Sequence, residues 1–575
     1  MSRFTVGLDS GAGRARIGNK AASLARMTEL GLRVPPAFVI TTDVCRAYFE
    51  NGQKLPAGIM DEIRTEVAKL EKDVGRTFGG GEHPLLLSVR SGAPVSMPGM
   101  MDTVLNLGTS DDVEAALAEE TGSPTFARDT HRRFLEMFAR IVLKATITEL
   151  PRDATSADWR AIIEKGSGRP YPHDAHERLE LAIGAVFASF HSRRAKKYRE
   201  HHGIPHDIGT AVTIQAMVFG NLDHRSGTGV LFSRNPLDGD RAPYGEYLPR
   251  AQGEDVVSGT RQPLPLSSLE EQLPGIHVEL LAAAARLEVD ARDVQDIEFT
   301  VQKGELFFLQ TRSAKRSPRA AVRLARAFVA EGIISEEEAL SRVTSDQVRA
   351  VLRPRLAHDA TEGATVLARG EPAGPGVGQG GVVTDPDEAE RQREAGIDVV
   401  LARATTSPED VHGMLAARAV ITETGGSTSH AAVVSRALGL PCVVGCGSGC
   451  ERLAGRTVTV DGDKGVVYEG LLPVVRPDEE ADEDLRTLIA WAIPRAPLGV
   501  VRAGTDRDGF TPPEEAIDLD RAALAQLLAG KDRVRGAVFE TTVGVMAAVD
   551  AGVRTIVVHR RLPALLASLE ARKGT

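Results

Sequence analysis

Four cysteines in 575 residues are too few to staple a chain of this size, which points to a reducing compartment. No apolar run approaches the roughly 18 residues that a membrane span needs, and Met1–Asp9 lacks the apolar core of a secretory leader. A cytoplasmic protein with no membrane contact is the expectation. Positive charge is also scarce: 69 Lys and Arg against 79 Asp and Glu leave a net charge of −10, without the basic stripe of a nucleic-acid binder. Internal repeats and low-complexity tracts are missing too. What is present is an ordinary globular composition, 42% hydrophobic and 26% charged, in a chain long enough for roughly three to four cores.

Three of the cysteines fall at Cys442, Cys446 and Cys450, a spacing that invites a metal. The residues between them read as a strand end and a turn, with no His or fourth Cys close by, so they are taken as buried or incidental thiols.

Along the chain, a helix from Asn19 to about Leu30 ends at Gly31, and Pro35-Pro36 leads into a strand at Ala37–Thr41. Residues 111–200 repeat apolar positions at helical spacing, and residues 210–312 are rich in strand patterns. A helical, charge-mixed linker or hinge is expected over 335–369. The Gly-rich stretch 370–381 opens a domain of alternating strands and helices that closes near 475. A Pro- and acid-rich linker at 473–484 leads to a small α/β segment. In that segment a strand at Gly536–Phe539, a helix at Val543–Ala551, a strand at Thr555–His559 and a terminal helix follow in order.

Asp296–Arg312 reads as a hairpin. A three-residue loop, Gln302-Lys303-Gly304, pairs Asp296 with Gln310 and Glu298 with Phe308. Asp296, Glu298, Gln310 and Arg312 then share one face, while Ile297, Phe299 and Leu309 face the core. Two carboxylates, an amide and a guanidinium make a floor for Mg²⁺ and phosphates, equally a solvated sheet face. Gly92, Gly99 and Gly108 flank Ser96–Met100, a loop with soft apolar residues; closing over phosphates needs N–H groups unobstructed by Cβ, so a lid is expected.

Thr424-Gly-Gly-Ser-Thr-Ser-His-Ala-Ala-Val-Val434 and the residues that follow specify a helix: Thr428 or Ser429 as cap, Gly439 as stop, Pro441 beyond. His430 falls in its first turn, where the helix field disfavours the imidazolium and leaves a neutral, nucleophilic nitrogen. The same N–H groups and the Thr428 hydroxyl suit phosphoryl oxygens.

Six segments resemble, in order, the motifs of the pyruvate phosphate dikinase family: Gly18–Leu24, Ser88–Gly108, Ser226–Pro236, Tyr244–Leu248, Ala251–Val257 and Gln295–Phe299. Gly425–Val434, with Thr406–Asp410, resembles the family's phosphohistidine motif and its carrier domain. The resemblance implies a multidomain α/β and α+β protein. It has an ATP-grasp nucleotide-binding domain over 1–334, the hinge at 335–369, a swivelling phosphohistidine domain over 370–475 and a short α/β segment over 476–575. It implies ATP and Mg²⁺ as cofactors and inorganic phosphate as a small-molecule substrate. Lys20, Arg90 and Arg133 would hold phosphates with Thr228 beside them. Glu254, Asp296 and Glu298 would serve metal and adenosine, Asp296 and Glu298 as the metal ligands, and Gln310 and Arg312 would complete the phosphate grip. His430 would be the phosphoacceptor, with Thr428, Arg90 and Arg312 beside it in catalysis. Two departures are small: Ser233 stands where the family often has Thr, and Ser427 where it commonly has Met.

The family's phosphoenolpyruvate-forming members carry a C-terminal barrel with a catalytic Cys. Residues 484–505 faintly resemble its start, no Cys follows Cys450, and such a barrel takes about 250 residues. The expectation is a short form that phosphorylates His430, releasing AMP and pyrophosphate, and serves an acceptor site in trans on a partner protein; a homodimer is compatible. Two other readings remain: transfer to a small molecule other than pyruvate, and a non-catalytic ATP-binding regulatory subunit.

Overall fold

The structure, a computed structural model, describes residues 4–97, 99–257, 261–353, 355–357, 359–438, 440–475, 477–504, 508–513 and 519–573. The first sheet is antiparallel, with strands Thr5–Gly7, Ala37–Ile40, Ala211–Ala216, Leu87–Gly92 and Thr103–Leu107 in that spatial order. Helix Pro124–Ile141 starts with proline at its first position and a Ser123 cap on the Phe126 N–H. Its apolar stripe puts Phe134 and Phe138 into a core shared with Ile63 and Phe187.

The second sheet is also antiparallel, in the order Leu264–Pro265, Tyr244–Pro249, Gly227–Phe232, Gln295–Gln302, Glu305–Ser313. Side chains alternate, so Leu231, Tyr247, Ile297, Phe299 and Phe308 bury one face against Leu24 and Met27 of helix Arg14–Glu29. That helix reaches the first sheet too, through Ile17 and Ala21.

The hairpin differs from its expected register. Its turn is the two-residue Lys303-Gly304, with φ of 52° and 79°, the left-handed pair that matches strand twist and that glycine favours at the second position. Gln302 therefore pairs with Glu305, and a bulge between Glu298 and Phe299 shifts the ladder so that Asp296 lies opposite Arg312 and Glu298 opposite Gln310. Leu309 becomes the bulged residue and is only half-buried; Phe308 takes its expected place in the core. The four polar residues still share a face, now by a different pairing.

Helices Pro318–Ala330, Glu336–Arg342 and Ser345–Val351 form one layer with Glu483–Ala492 and Arg561–Lys573. Leu324, Phe328 and Leu352 pack there with Leu485, Leu488 and Leu565, and Arg319 pairs with Asp482 and Asp484. The chain leaves this layer and returns to it through a two-stranded ribbon, Arg355–Leu356 against Val474–Val475. Between its strands lies an eight-stranded mixed sheet in the order Val366–Arg369, Val466–Glu469, Thr457–Asp461, Val377–Val383, Val399–Arg403, Ala419–Thr422, Cys442–Val444, Glu371–Gly374. Four of these, from Val377–Val383 to Cys442–Val444, run parallel. Helix His430–Leu438 crosses between the last two.

Strands Gly499–Arg502, Thr555–Val558 and Arg533–Arg535 make a last, parallel sheet. The strand expected at Gly536–Phe539 is displaced to Arg533–Arg535, where Val534 is buried; Ala537–Glu540 is a short 3₁₀ turn. Among the described residues no helix is long and apolar enough to cross a membrane.

Candidate functional site

Helix Arg14–Glu29 is broken at Gly18, whose φ of 76° and ψ of 164° are not helical. The break is required by space: a Cβ at Gly18 would stand 1.8 Å from the Gly92 carbonyl oxygen. Asn19 N–H donates to the Ala93 carbonyl at 2.9 Å, fixing the second half of the helix on strand Leu87–Gly92. Lys20 thus lies between the two sheets, where burial and the nearby Arg90 push its pKa down to about 7, with Glu298 acting the other way and Arg312 adding to the fall.

Arg90 reaches across from the first sheet. Its Nη1 donates to the Leu309 carbonyl at 3.2 Å and to Gln215 Oε1 at 3.3 Å, and Nη2 lies 3.5 Å from Glu298 Oε2. The hairpin bulge turns that carbonyl toward Arg90, so the irregularity places a guanidinium on the polar face. Arg312 Nε pairs with Asp296 Oδ2 at 2.8 Å. Burial opposes the Arg312 charge, but the Asp296 and Glu298 carboxylates outweigh it and raise its pKa. Burial raises the pKa of Asp296, with Arg312 opposing. Asp296 Oδ1 is buried without a partner. Two carboxylates on one face, one with an orphaned oxygen, fit a hard cation that keeps its other positions for phosphate oxygens. Lys20, Arg90, Asp296, Glu298, Gln310 and Arg312 are therefore brought together.

Arg133 and Glu254 form a second group. Arg133 is held by Asp129 at 2.7 Å and by Asp255 at 2.8 Å. Burial pushes the neighbouring Glu254 up to about 7, with Arg133 opposing. Thr228 Oγ1 donates to the Phe299 carbonyl at 2.9 Å and lies 3.2 Å from Thr300 Oγ1; it sits on the polar face, occupied by the sheet itself.

His430 opens its helix at the carboxyl edge of the parallel strands, the usual ligand edge of an open α/β sheet. Thr406 Oγ1 lies 3.2 Å from Nδ1, and Nε2 is buried without a partner. Burial pushes the His430 pKa down to about 4, with Asp410 opposing. The imidazole is thus neutral at pH 7, with its engaged nitrogen turned to Thr406 and the other free. The unfolded histidine binds protons more readily, so this residue's contribution to stability fades as pH falls from 6.5 toward 4.

The two sites face each other. A Cβ at Gly99, in the Met-rich loop, would meet His430 Cδ2 at 3.7 Å and Pro408 Cγ at 3.0 Å. Glu246, on the polar face of the second sheet, accepts from Ser427 N and Ser427 Oγ at 3.0 Å each and from the Thr428 hydroxyl. Tyr244 donates to Glu371 at 2.9 Å. Thr428 therefore does not cap its helix but spends its hydroxyl across the interface, and Ser429 Oγ has no partner; the expected stop at Gly439 lies outside the described residues. A cavity of about 1510 Å³ opens beside this joint, with Met100, Tyr198 and Lys315 on one wall and Pro408 and Val411 on the other.

Sequence reasoning did not assign Glu246, Thr406 or Gln215 to the site. Glu246 and Thr406 lie inside segments already singled out, so motif membership was the available signal. Cys442 and Cys450 are buried and Cys446 half-buried, and burial raises the thiol pKa values of Cys442, Cys446 and Cys450 to about 11, 12 and 12.

The model of the pyruvate phosphate dikinase AMP/ATP-binding domain matches residues 14–266, and that of the PEP-utilising enzyme mobile domain matches residues 397–465. Pyruvate, phosphate dikinase of Rhizobium meliloti is 41% identical over 526 residues, covering 83% of this chain and 58% of the relative. That of Clostridium symbiosum is 39% identical over 530 residues, covering 86% and 60%. The chain belongs to the pyruvate phosphate dikinase family. It spans less than two thirds of the length of these dikinase relatives. The Asp296–Arg312 hairpin lies beyond the matched AMP/ATP-binding region, yet it pairs with strand Gly227–Phe232 inside it.

Polyphosphate binding should take up protons. At pH 7.5 the buried Lys20 is mostly neutral, and an anion restores its charge. Calorimetry of nucleotide binding in two buffers of different ionisation enthalpy should give uptake of a large fraction of one proton, abolished in Lys20→Met. By the same linkage, Lys20 destabilises the folded protein fully below about pH 7, and that cost fades as pH rises toward 10.5.

Proposed function

We propose that this chain is a phosphotransferase that moves phosphoryl from ATP, with inorganic phosphate, onto its own His430, giving AMP and pyrophosphate. The phosphoryl group is then delivered to pyruvate or another acceptor in trans. The observation that carries the reading is His430 itself: a neutral imidazole at pH 7, its Nε2 buried without a partner, seated beside the Gly99 loop.

The Nε2 lone pair attacks the β-phosphorus of ATP; the bond from that phosphorus to the α-bridging oxygen breaks, and AMP leaves with the electron pair. Inorganic phosphate next attacks the outer phosphorus of the diphosphoryl-histidine, and pyrophosphate departs, leaving one phosphoryl on Nε2. Thr406 at Nδ1 holds the ring so that Nε2 is the attacking atom. Lys20, Arg90 and Arg312 balance charge on the phosphates, and the Gly99 loop keeps water from the reacting nitrogen. Mg²⁺ held by Asp296 and Glu298 supplies further neutralisation when bound. Residues 370–475 act as the swivelling carrier and 1–334 as the nucleotide domain; Arg133, Glu254 and Thr228 border the nucleotide.

The test is incubation with Mg²⁺, phosphate and ATP labelled at the β position, followed by detection of protein-bound label and AMP. Acid-labile label with equivalent AMP supports the reading. Nucleotide binding with neither product sinks it in favour of a regulatory subunit.

A further inference from the structure

Arg436 is carried on the His430 helix and is 2% exposed. Its Nη1 donates to the Ala373 carbonyl at 3.0 Å within the His430 domain, but Nε and Nη2 have no partner. The guanidinium carbon lies 5.8 Å from the centre of the Phe232 ring. Phe232 is paired with Asp296 across neighbouring strands, so both point to the polar face. Burial lowers the Arg436 pKa, with Tyr244, Cys442, Asp296 and Glu246 acting the other way.

A buried guanidinium with the Nε–H and both Nη2–H groups unsatisfied is costly, because each group has lost water and gained nothing. Across the same interface, Asp296 Oδ1 is a buried carboxylate oxygen in the same condition. Arg312 occupies only the other oxygen of that carboxylate. Two orphans of opposite sign, one from each domain, are satisfied together by a ligand that carries both signs. A divalent cation complexed to a polyphosphate has that chemistry: its metal takes a carboxylate oxygen and its phosphate oxygens accept from a guanidinium.

On the strength of the functional reading above, we propose that Arg436 is a phosphate-binding residue contributed by the His430 domain, completing a metal–polyphosphate site with Asp296 only when the domains are docked. The nucleotide then has contacts on both sides of the joint, and its phosphates help to hold His430 in place. Arg436 thereby makes docking and nucleotide occupancy favour each other, since contacts available only in the docked state bind the ligand and stabilise that state alike.

The experiment is calorimetric titration of the full chain with Mg²⁺ and α,β-methylene ATP, whose α–β bridge cannot be cleaved at oxygen. Arg436→Met is expected to weaken binding about tenfold or more, the loss of charge-assisted hydrogen bonds, and Arg436→Lys less. Small-angle scattering of both variants without ligand should match that of the wild type, because the orphaned groups contribute nothing to docking until the ligand arrives. Wild-type affinity in Arg436→Met overturns the proposal. So does a ligand-free Arg436→Met that is already undocked, which would make Arg436 a structural anchor. A wild type that binds no analogue overturns the functional reading and this inference together. A wild type that binds it, with Arg436→Met binding equally well, removes the inference alone.

Discussion

His430→Ala takes up no acid-labile label from β-labelled ATP and releases no AMP, while its affinity for magnesium and α,β-methylene ATP stays at the wild-type value. The loss should be complete to the limit of detection, because no other histidine among the described residues has the same setting. His430 combines a free buried Nε2, a partner at Nδ1 and a pKa of about 4, which keeps the lone pair available throughout the physiological range. The polar face that would hold the nucleotide is built from Lys20, Arg90, Asp296, Glu298 and Arg312, none of which touches the imidazole, so binding survives the substitution. Residual label above a tenth of the wild-type amount would assign the acceptor elsewhere. The pH profile gives a second check: His430 protonation should impose no fall in labelling between pH 8 and pH 6.

Glu246→Lys should slow labelling by at least about 100-fold and, because docking and occupancy are coupled through Arg436, weaken nucleotide binding by up to about tenfold. Glu246 is 5% exposed, and its carboxylate receives the Ser427 N–H, the Ser427 hydroxyl and the Thr428 hydroxyl. Hydrogen bonds to a charged group contribute about 1.5–3 kcal/mol each, though not additively. Losing the set while burying a second cation near Arg436 disfavours the docked joint by about 3–5 kcal/mol, a factor of roughly 10² to several 10³ in its population. Glu246→Gln retains an acceptor oxygen and should lose closer to tenfold. Initial labelling rates beside small-angle scattering decide the matter: slow labelling by a molecule that remains docked would show that Glu246 acts on chemistry rather than on docking.

The His430 helix was legible because its specification is local, while its hydroxyls were misread because their partner is remote. Nothing near Thr428 indicates that its hydroxyl serves Glu246, 182 residues away, rather than the helix N-terminus. The hairpin shows the reverse. A Gln-Lys-Gly tip permits a two- or a three-residue turn, and the sequence does not choose between them. The bulge at Leu309 then restores the shared polar face, so the site was readable although the register was not. The stretch 335–369, expected as a helical hinge, has its Leu340, Val348 and Leu352 buried in one core with Leu324 and Phe328 nearby in sequence and with Leu485, Leu488 and Leu565 far from it. Long-range burial of this kind leaves no periodic mark. The dipping strand ends of the last segment failed by a few residues for a similar reason, since Val534 and Phe539 are both buried and only the pairing with Thr555–Val558 decides which belongs to a strand.

The ribbon formed by Arg355–Leu356 and Val474–Val475 turns a question of affinity into one of tether length. A domain held by two strands leaving at one point can rock or twist about that point, but cannot diffuse away. On the proposed function, His430 would therefore meet the polar face at an effective concentration of about millimolar order, whatever the dilution of the protein. A weak joint is then sufficient for frequent encounters, and a tight one would delay release. The first-order meeting within one chain and the second-order meeting with any outside acceptor thus scale differently with protein concentration, and dilution alone separates them.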